Sequence, residues 1–133
     1  MAVFSLTDYS REPRMATEEL VISTERDLRE ALKRFQQHDP GFVDLCSPAG
    51  DCLSIGVGGP LACLMFIRAS GDPPYLWALG NSDDQEHTIE FSRGGTPTPI
   101  SLYRCLPFEN ALEIAVYYFQ HGRLPENVQW DKD

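Results

Sequence analysis

RGGTPTPISLYRCLPFENALEIAVYYFQHGRLPENVQW, residues 93–130, is the stretch from which the rest of the chain is read. Its centre is a helix. Phe108, Ala111, Leu112, Ala115, Val116 and Phe119 recur at i, i+3, i+4, i+7, i+8 and i+11, one continuous apolar stripe that must be buried against something. Pro107 stands where a first helical residue needs no N–H, and Glu109 puts negative charge in the first turn. Gly122 is placed to close the helix in the left-handed conformation, and Pro125 prevents it from resuming. Ahead of the helix, Gly94-Gly95 before Thr96 marks a strand end with unusual dihedrals or a close backbone approach. Ile114, Tyr117, Tyr118 and His121 make a second apolar patch on the same helix, which the tail residues Leu124, Val128 and Trp130 are expected to cover.

Upstream, Val3 to Tyr9 reads as a strand, and the polar, Pro13-containing run from Ser10 to Thr17 as a loop. Leu20-Val21-Ile22 is a short β-branched run. Ser23 or Thr24 then caps a helix with Glu25 and Asp27 in its first turn and a narrow stripe of Leu28, Ala31, Leu32 and Phe35. Strand signals follow at short spacing, separated by Gly- and Pro-rich turns: Phe42 to Cys46, Cys52 to Val57, Leu61 to Ile67, Tyr75 to Leu79 and Glu86 to Ser92. Cys52 to Val57 alternates small and large residues, as a half-buried strand does, whereas Leu61 to Ile67 is apolar throughout, as a strand covered on both faces is. The sum predicts an α+β fold: a mostly antiparallel sheet of five to six strands with two main helices packed on it, forming a single domain over residues 1–133. The βαβ rhythm of a parallel sheet is absent.

The composition sets limits on function. Twenty acidic residues against eleven basic give a net charge of −9, which opposes direct binding to nucleic acid because phosphate contacts need Lys and Arg. No apolar run is long enough to span a membrane, and Met1 to Asp8 lacks the pattern of a signal peptide, so a cytoplasmic location is expected. None of the four cysteines, Cys46, Cys52, Cys63 and Cys105, has C-x-x-C spacing. Reduced thiols are the expectation, with a Cys46–Cys52 bridge across a turn as the open alternative.

A search for chemistry yields little. His38, His87 and His121 fall in different elements with no nucleophile or carboxylate pattern around them, and His87 is expected on the apolar face of its strand. Ser54 lacks the first glycine and the following helix of a nucleophile elbow. Gly56-Val57-Gly58-Gly59-Pro60 lacks the Lys and helix start of a phosphate-binding loop. Asp83-Asp84 with Glu86 lacks calcium-loop spacing. These readings predict no catalytic residues, no metal and no cofactor, and a protein that acts by binding another macromolecule. A small-ligand-binding or regulatory domain is the alternative, favoured by a pocket of Tyr75, Trp77, Tyr103 and the histidines.

Several motifs together resemble the first-numbered immunity-protein family of bacterial polymorphic toxin systems. They are Gly94-Gly95-Thr96-Pro97-Thr98, Leu106-Pro107-Phe108-Glu109-x-Ala111-Leu112, Tyr118-Phe119-x-x-Gly122-x-Leu124-Pro125 and the closing Val128-Gln129-Trp130. The resemblance marks Gly94, Gly95, Thr96, Pro107, Gly122, Pro125 and Trp130 as structural positions. It implies an antitoxin without catalysis that binds a cognate toxin domain and occludes its active site; a monomer or weak dimer is expected for the free protein. The toxins of that family commonly have a nucleic-acid cytidine-deaminase fold. The expected partner-binding surface runs from Tyr75 and Trp77 through Asp83 and Asp84 to Glu86 and Glu90, combining aromatic anchors with carboxylates suited to a basic cleft. The opposing reading places Trp77 in the core and leaves the carboxylates to keep the sheet soluble.

Overall fold

The computed structural model describes residues 3–9 and 19–133, so the loop expected over residues 10–17 lies outside the described residues. The chain runs β1 (Phe4–Asp8), β2 (Glu19–Ile22), α1 (Glu25–Gln36), β3 (Gly41–Cys46), β4 (Cys52–Val57), β5 (Leu61–Ile67), β6 (Leu76–Ala78), β7 (Thr88–Arg93) and β8 (Thr96–Ser101). A 3-10 turn (Leu102–Arg104), β9 (Leu106–Pro107), α2 (Phe108–His121) and β10 (Trp130–Lys132) complete it.

The expectation of five to six strands is overturned: the described residues form ten strands, ordered β10-β6-β5-β4-β3-β1-β2, with β7–β8 joined to β3 and β9 to β5. Pairing is antiparallel except for one parallel bridge, Gly41 to Ser92. The additional strands lie where sequence signals are weakest. In β8, Pro97 and Pro99 have no N–H to give, which restricts that strand to an edge and masks its pattern. The two and three residues of β9 and β10 are too short to show alternation.

Two cores sandwich the central strands. On one face, Val43, Leu45, Leu53, Ile55 and Leu64 meet Leu28, Leu32 and Phe35 of α1 and Phe108, Leu112 and Ala115 of α2. On the other, Phe42, Cys63 and Trp77 pack with Phe91 and Ile100 from the β7–β8 hairpin and with Cys105. β4 is therefore buried on both faces rather than half-buried, because the hairpin folds over the side that the small residues occupy. Full burial of each Leu or Phe contributes roughly 1.5–3 kcal/mol, so the two layers dominate stability.

Local signals explain the helices. Thr24 caps α1, its hydroxyl accepting from the Asp27 N–H at 3.1 Å. α2 begins at Phe108, one position later than expected, with Pro107 just outside as the capping residue. Gly122 closes it at φ 69°, its N–H donating to the Tyr118 carbonyl. The Gly94-Gly95 pair has φ 59° and 85°, the two successive positive values that a two-residue hairpin turn of the I′ type requires.

Three expectations change in the packing. Tyr118 is fully buried, but the rings around it belong to Phe4 at 5.4 Å and Phe66 at 6.0 Å rather than to the tail. The tail instead becomes a strand: Trp130 pairs with Ala78, while Leu124, Val128 and Trp130 close the edge of the helix-side core. Cys46 and Cys52 form a disulfide, against the expectation of reduced thiols, because the β3–β4 register sets them opposite each other with Cα atoms 4.0 Å apart. Cys63 and Cys105 are free and buried. No helix among the described residues is long and apolar enough to cross a membrane.

Candidate partner-binding surface

The segment between β6 and β7 carries Asp83, Asp84 and Glu86 of the carboxylates singled out from the sequence, and Glu90 follows on β7. Backbone hydrogen bonds tie it to the 3-10 turn: Gly80 N–H to the Tyr103 carbonyl (3.1 Å), Tyr103 N–H to the Asp84 carbonyl (2.9 Å) and Leu102 N–H to the His87 carbonyl (2.9 Å). A side chain at Gly80 would run into the Cys105 carbonyl, which shows how closely the segment is held.

These carboxylates have different roles. Asp83, Glu86 and Glu90 are exposed. Asp84 is half-buried and holds the turn together, accepting from the Glu86 N–H at 2.9 Å and the His87 N–H at 3.0 Å and pairing with His87 Nδ1 at 2.7 Å. The His87 backbone N–H, then its ring and the Glu86 N–H, hold the Asp84 carboxyl below its ordinary pKa. β7 starts at Thr88, so Glu86 and His87 belong to this turn. His87 is exposed rather than on an apolar strand face, because Asp84 holds its ring at the surface.

The aromatic half of the expected surface lies elsewhere. Trp77 is only 6 % exposed, covered by the Arg104 guanidinium 5.0 Å from its ring, and its Nε1–H donates to Asp133 at 3.3 Å. Tyr75 is half-buried, its hydroxyl donating to the Gly71 carbonyl at 3.1 Å. The structure thus groups Asp83, Asp84, Glu86 and Glu90 on one continuous segment and sets Trp77 beneath the surface. Among the positions marked as structural, Gly94, Gly95 and Thr96 make the β7–β8 turn, and the Gly94 N–H donates to the Tyr9 carbonyl at 2.7 Å. Pro107 pairs with Leu61, Gly122 ends α2, and the Pro125 carbonyl accepts from Trp130 Nε1 at 3.4 Å.

Two polar clusters escape sequence reasoning. Arg93 forks onto Asp44, with Nη1 and Nη2 at 3.2 and 3.0 Å from the two carboxylate oxygens, and Nη1 also reaches the Ser54 hydroxyl at 3.1 Å. Its guanidinium lies over Tyr9 and Phe42. The one hint was a lone Asp inside the apolar run Phe42–Cys46. Arg104 similarly fastens the C-terminal strand, donating to Asp131 at 2.9 Å beside the Tyr103 hydroxyl, and so lowers the Asp131 pKa.

Among the described residues, no group of three His, Cys, Asp or Glu side chains is placed to hold a metal ion. His38, His87 and His121 lie exposed on separate elements. Trp77, named for the small-ligand reading, lies beneath the Arg104 guanidinium. Asp83, Glu86 and Glu90 are exposed carboxylates beside a turn tied by backbone hydrogen bonds to the 3-10 turn. No curated protein sequence matches the chain. A family model does, over nearly its whole length: immunity protein Imm1 matches residues 16–132, extending well upstream of the C-terminal motifs. Such proteins act by binding a cognate toxin protein rather than by catalysis, and this chain belongs to the Imm1 immunity-protein family.

Proposed function

We propose that the protein neutralises a nucleic-acid-targeting toxin, a cytidine-deaminase-type domain, by binding over its active-site cleft as a single domain in the cytoplasm. The observation that carries this reading is the acidic segment from Asp83 to Glu90 on an immunity-protein scaffold with net charge −9. A cleft that takes in nucleic acid is lined with cations for phosphate, and carboxylates exposed on the turn and on β7 can occupy those phosphate positions. Opposite charge also accelerates encounter, from about 10⁵–10⁶ to 10⁸–10⁹ M⁻¹s⁻¹, an advantage when free toxin damages its own cell. The deaminase chemistry, a zinc-activated water and a glutamate acting on an unstacked base, belongs to the toxin.

The test is inhibition of the toxin domain encoded beside this gene, assayed on single-stranded cytidine substrates. The reading predicts loss of activity at a one-to-one ratio, relieved by nucleic acid that competes for the cleft. Full deamination at saturating immunity protein would refute it.

A further inference from the structure

The Cys46–Cys52 disulfide plays no part in the reading above. It lies on the face of the sheet away from the two helices, where β3 and β4 set the two residues directly opposite each other. The register extends that row on both sides, to Ser5 and Val21 on β1 and β2 and to Ile67 on β5. The hairpin-side core, built on Phe42, Cys63 and Phe91, stops short of this row. Cys46, Cys52, Ser5 and Ile67 are half-buried and Val21 is exposed. The bridge is therefore within reach of small solutes, whereas Cys63 and Cys105 are shut inside the core.

The surrounding structure is held by other means. β3 and β4 pair from Gly41–Val57 down to Cys46–Cys52, and β1 and β5 flank them. The turn beyond the bridge closes on its own hydrogen bonds: Ser47 N–H to the Asp51 carbonyl at 2.9 Å, Gly50 N–H to the Ser47 carbonyl at 3.0 Å, and the Ser47 hydroxyl to the Asp51 carboxylate at 2.6 Å. The buried Tyr118 of α2 fastens the same turn, its hydroxyl donating to the Asp51 carbonyl at 3.0 Å. The two cysteines are only six positions apart, and the restraint a disulfide adds grows with the loop it closes, so opening this one frees little chain.

We propose that Cys46 and Cys52 form a reversible thiol–disulfide site, opened and closed by small thiols of the glutathione class while the fold stays native. A thiolate bonds to one sulfur as the Sγ–Sγ bond breaks, and the electron pair leaves on the other cysteine, which then takes up a proton. A second thiolate displaces the first as a small disulfide. Two small thiols are thereby oxidised to one disulfide, and the protein pair is reduced to two thiols; the reverse steps remake the bridge. The pair thus follows its compartment, a dithiol where thiols are kept reduced and a bridge where they are not. This proposal is independent of the toxin-binding reading.

The test equilibrates the full-length protein, without denaturant, in buffers of varied ratio of reduced to oxidised glutathione. Free thiols are then alkylated and located by mass spectrometry, with circular dichroism recorded in parallel. Reducing ratios should add two labels, at Cys46 and Cys52, and none at Cys63 or Cys105, which serve as internal reporters of unfolding. The spectrum should stay native, and oxidised glutathione should remove both labels again. Cys46→Ser with Cys52→Ser, a form fixed open, should show the same native spectrum and unfold cooperatively, with a lowered midpoint. A bridge that resists excess reduced glutathione, labelling of all four cysteines together, or a double variant that fails to fold would each overturn the proposal.

Discussion

Arg93 is the residue whose loss should cost the fold most for its exposure. Its guanidinium is 40 % exposed, yet it neutralises Asp44, whose side chain is 11 % exposed, and reaches a Ser54 that is fully buried. Arg93→Met keeps the packing volume of the stem but leaves a carboxylate unpaired between β1 and β4. Breaking a buried pair from one side costs about 3–5 kcal/mol. Because the arginine end is partly in water, solvent screening discounts the cost to below that range, so we expect about 2–3 kcal/mol of a total near ~5–15 kcal/mol. With a urea slope of roughly 2 kcal/mol/M, the midpoint should drop by ~1–1.5 M at unchanged slope. The paired variant Arg93→Met with Asp44→Leu removes both charges and should recover most of the loss, since replacing a buried ion pair by apolar residues is often close to neutral. The reasoning fails if Arg93→Met shifts the midpoint by less than ~0.3 M, or if the paired variant is less stable than the single one.

Trp130→Ala should lower stability by about 3 kcal/mol, at the low end for an aromatic truncation because the ring is only half-buried; unchanged stability with weakened toxin binding would make Trp130 an interface anchor instead. Asp84→Asn should destabilise the 82–87 turn in a pH-dependent way. The folded pKa of Asp84 is depressed, so its contribution is present above the ordinary carboxylate pKa of about 4 and is lost as pH falls through and below that value. The two proteins should therefore differ most near neutral pH and converge in acid, and a gap constant down to pH ~2 would contradict the assigned role. Burial raises the Cys63 thiol well above its usual range and the Cys105 thiol to about 11. Neither should react with a thiol reagent at pH ~8 until the protein unfolds, and rapid labelling of the native protein would show the second core to be open.

The two helices and the central strands could be read from sequence because their cues are local. The stripes Leu28-Ala31-Leu32-Phe35 and Phe108 to Val116 repeat at helical spacing, and both are buried. Cys52–Val57 and Leu61–Ile67 were bounded by turn residues on each side and match β4 and β5. What could not be read depends on partners distant in sequence. The second core exists because the β7–β8 hairpin lies across the sheet, and nothing in Thr96–Ser101 announces that destination. The same holds for Trp77, whose exposure is decided by Arg104 arriving 27 positions later in the chain. Cys46 and Cys52 needed the β3–β4 register to be seen as facing each other. The carboxylates of the candidate surface were visible as an acidic turn, but the division of labour was not: Asp84 supports the turn while Asp83, Glu86 and Glu90 face outward. That division determines which residues a binding experiment can alter without disturbing the fold.

The central claim is that this immunity protein meets its toxin through exposed carboxylates. Stopped-flow association with the toxin domain encoded beside its gene measures it directly, comparing the wild type with Asp83→Lys/Glu86→Lys/Glu90→Lys. Asp84 is left in place because it caps the turn. The wild type should associate near ~10⁸ M⁻¹s⁻¹ at low salt and slow markedly at ~0.15 M, where the screening length is about 8 Å. The triple variant should fold normally, since exposed charges contribute little to stability, yet associate at ~10⁵–10⁶ M⁻¹s⁻¹ with a shallow salt dependence. Equal rates and equal salt dependence for the two proteins would contradict the claim.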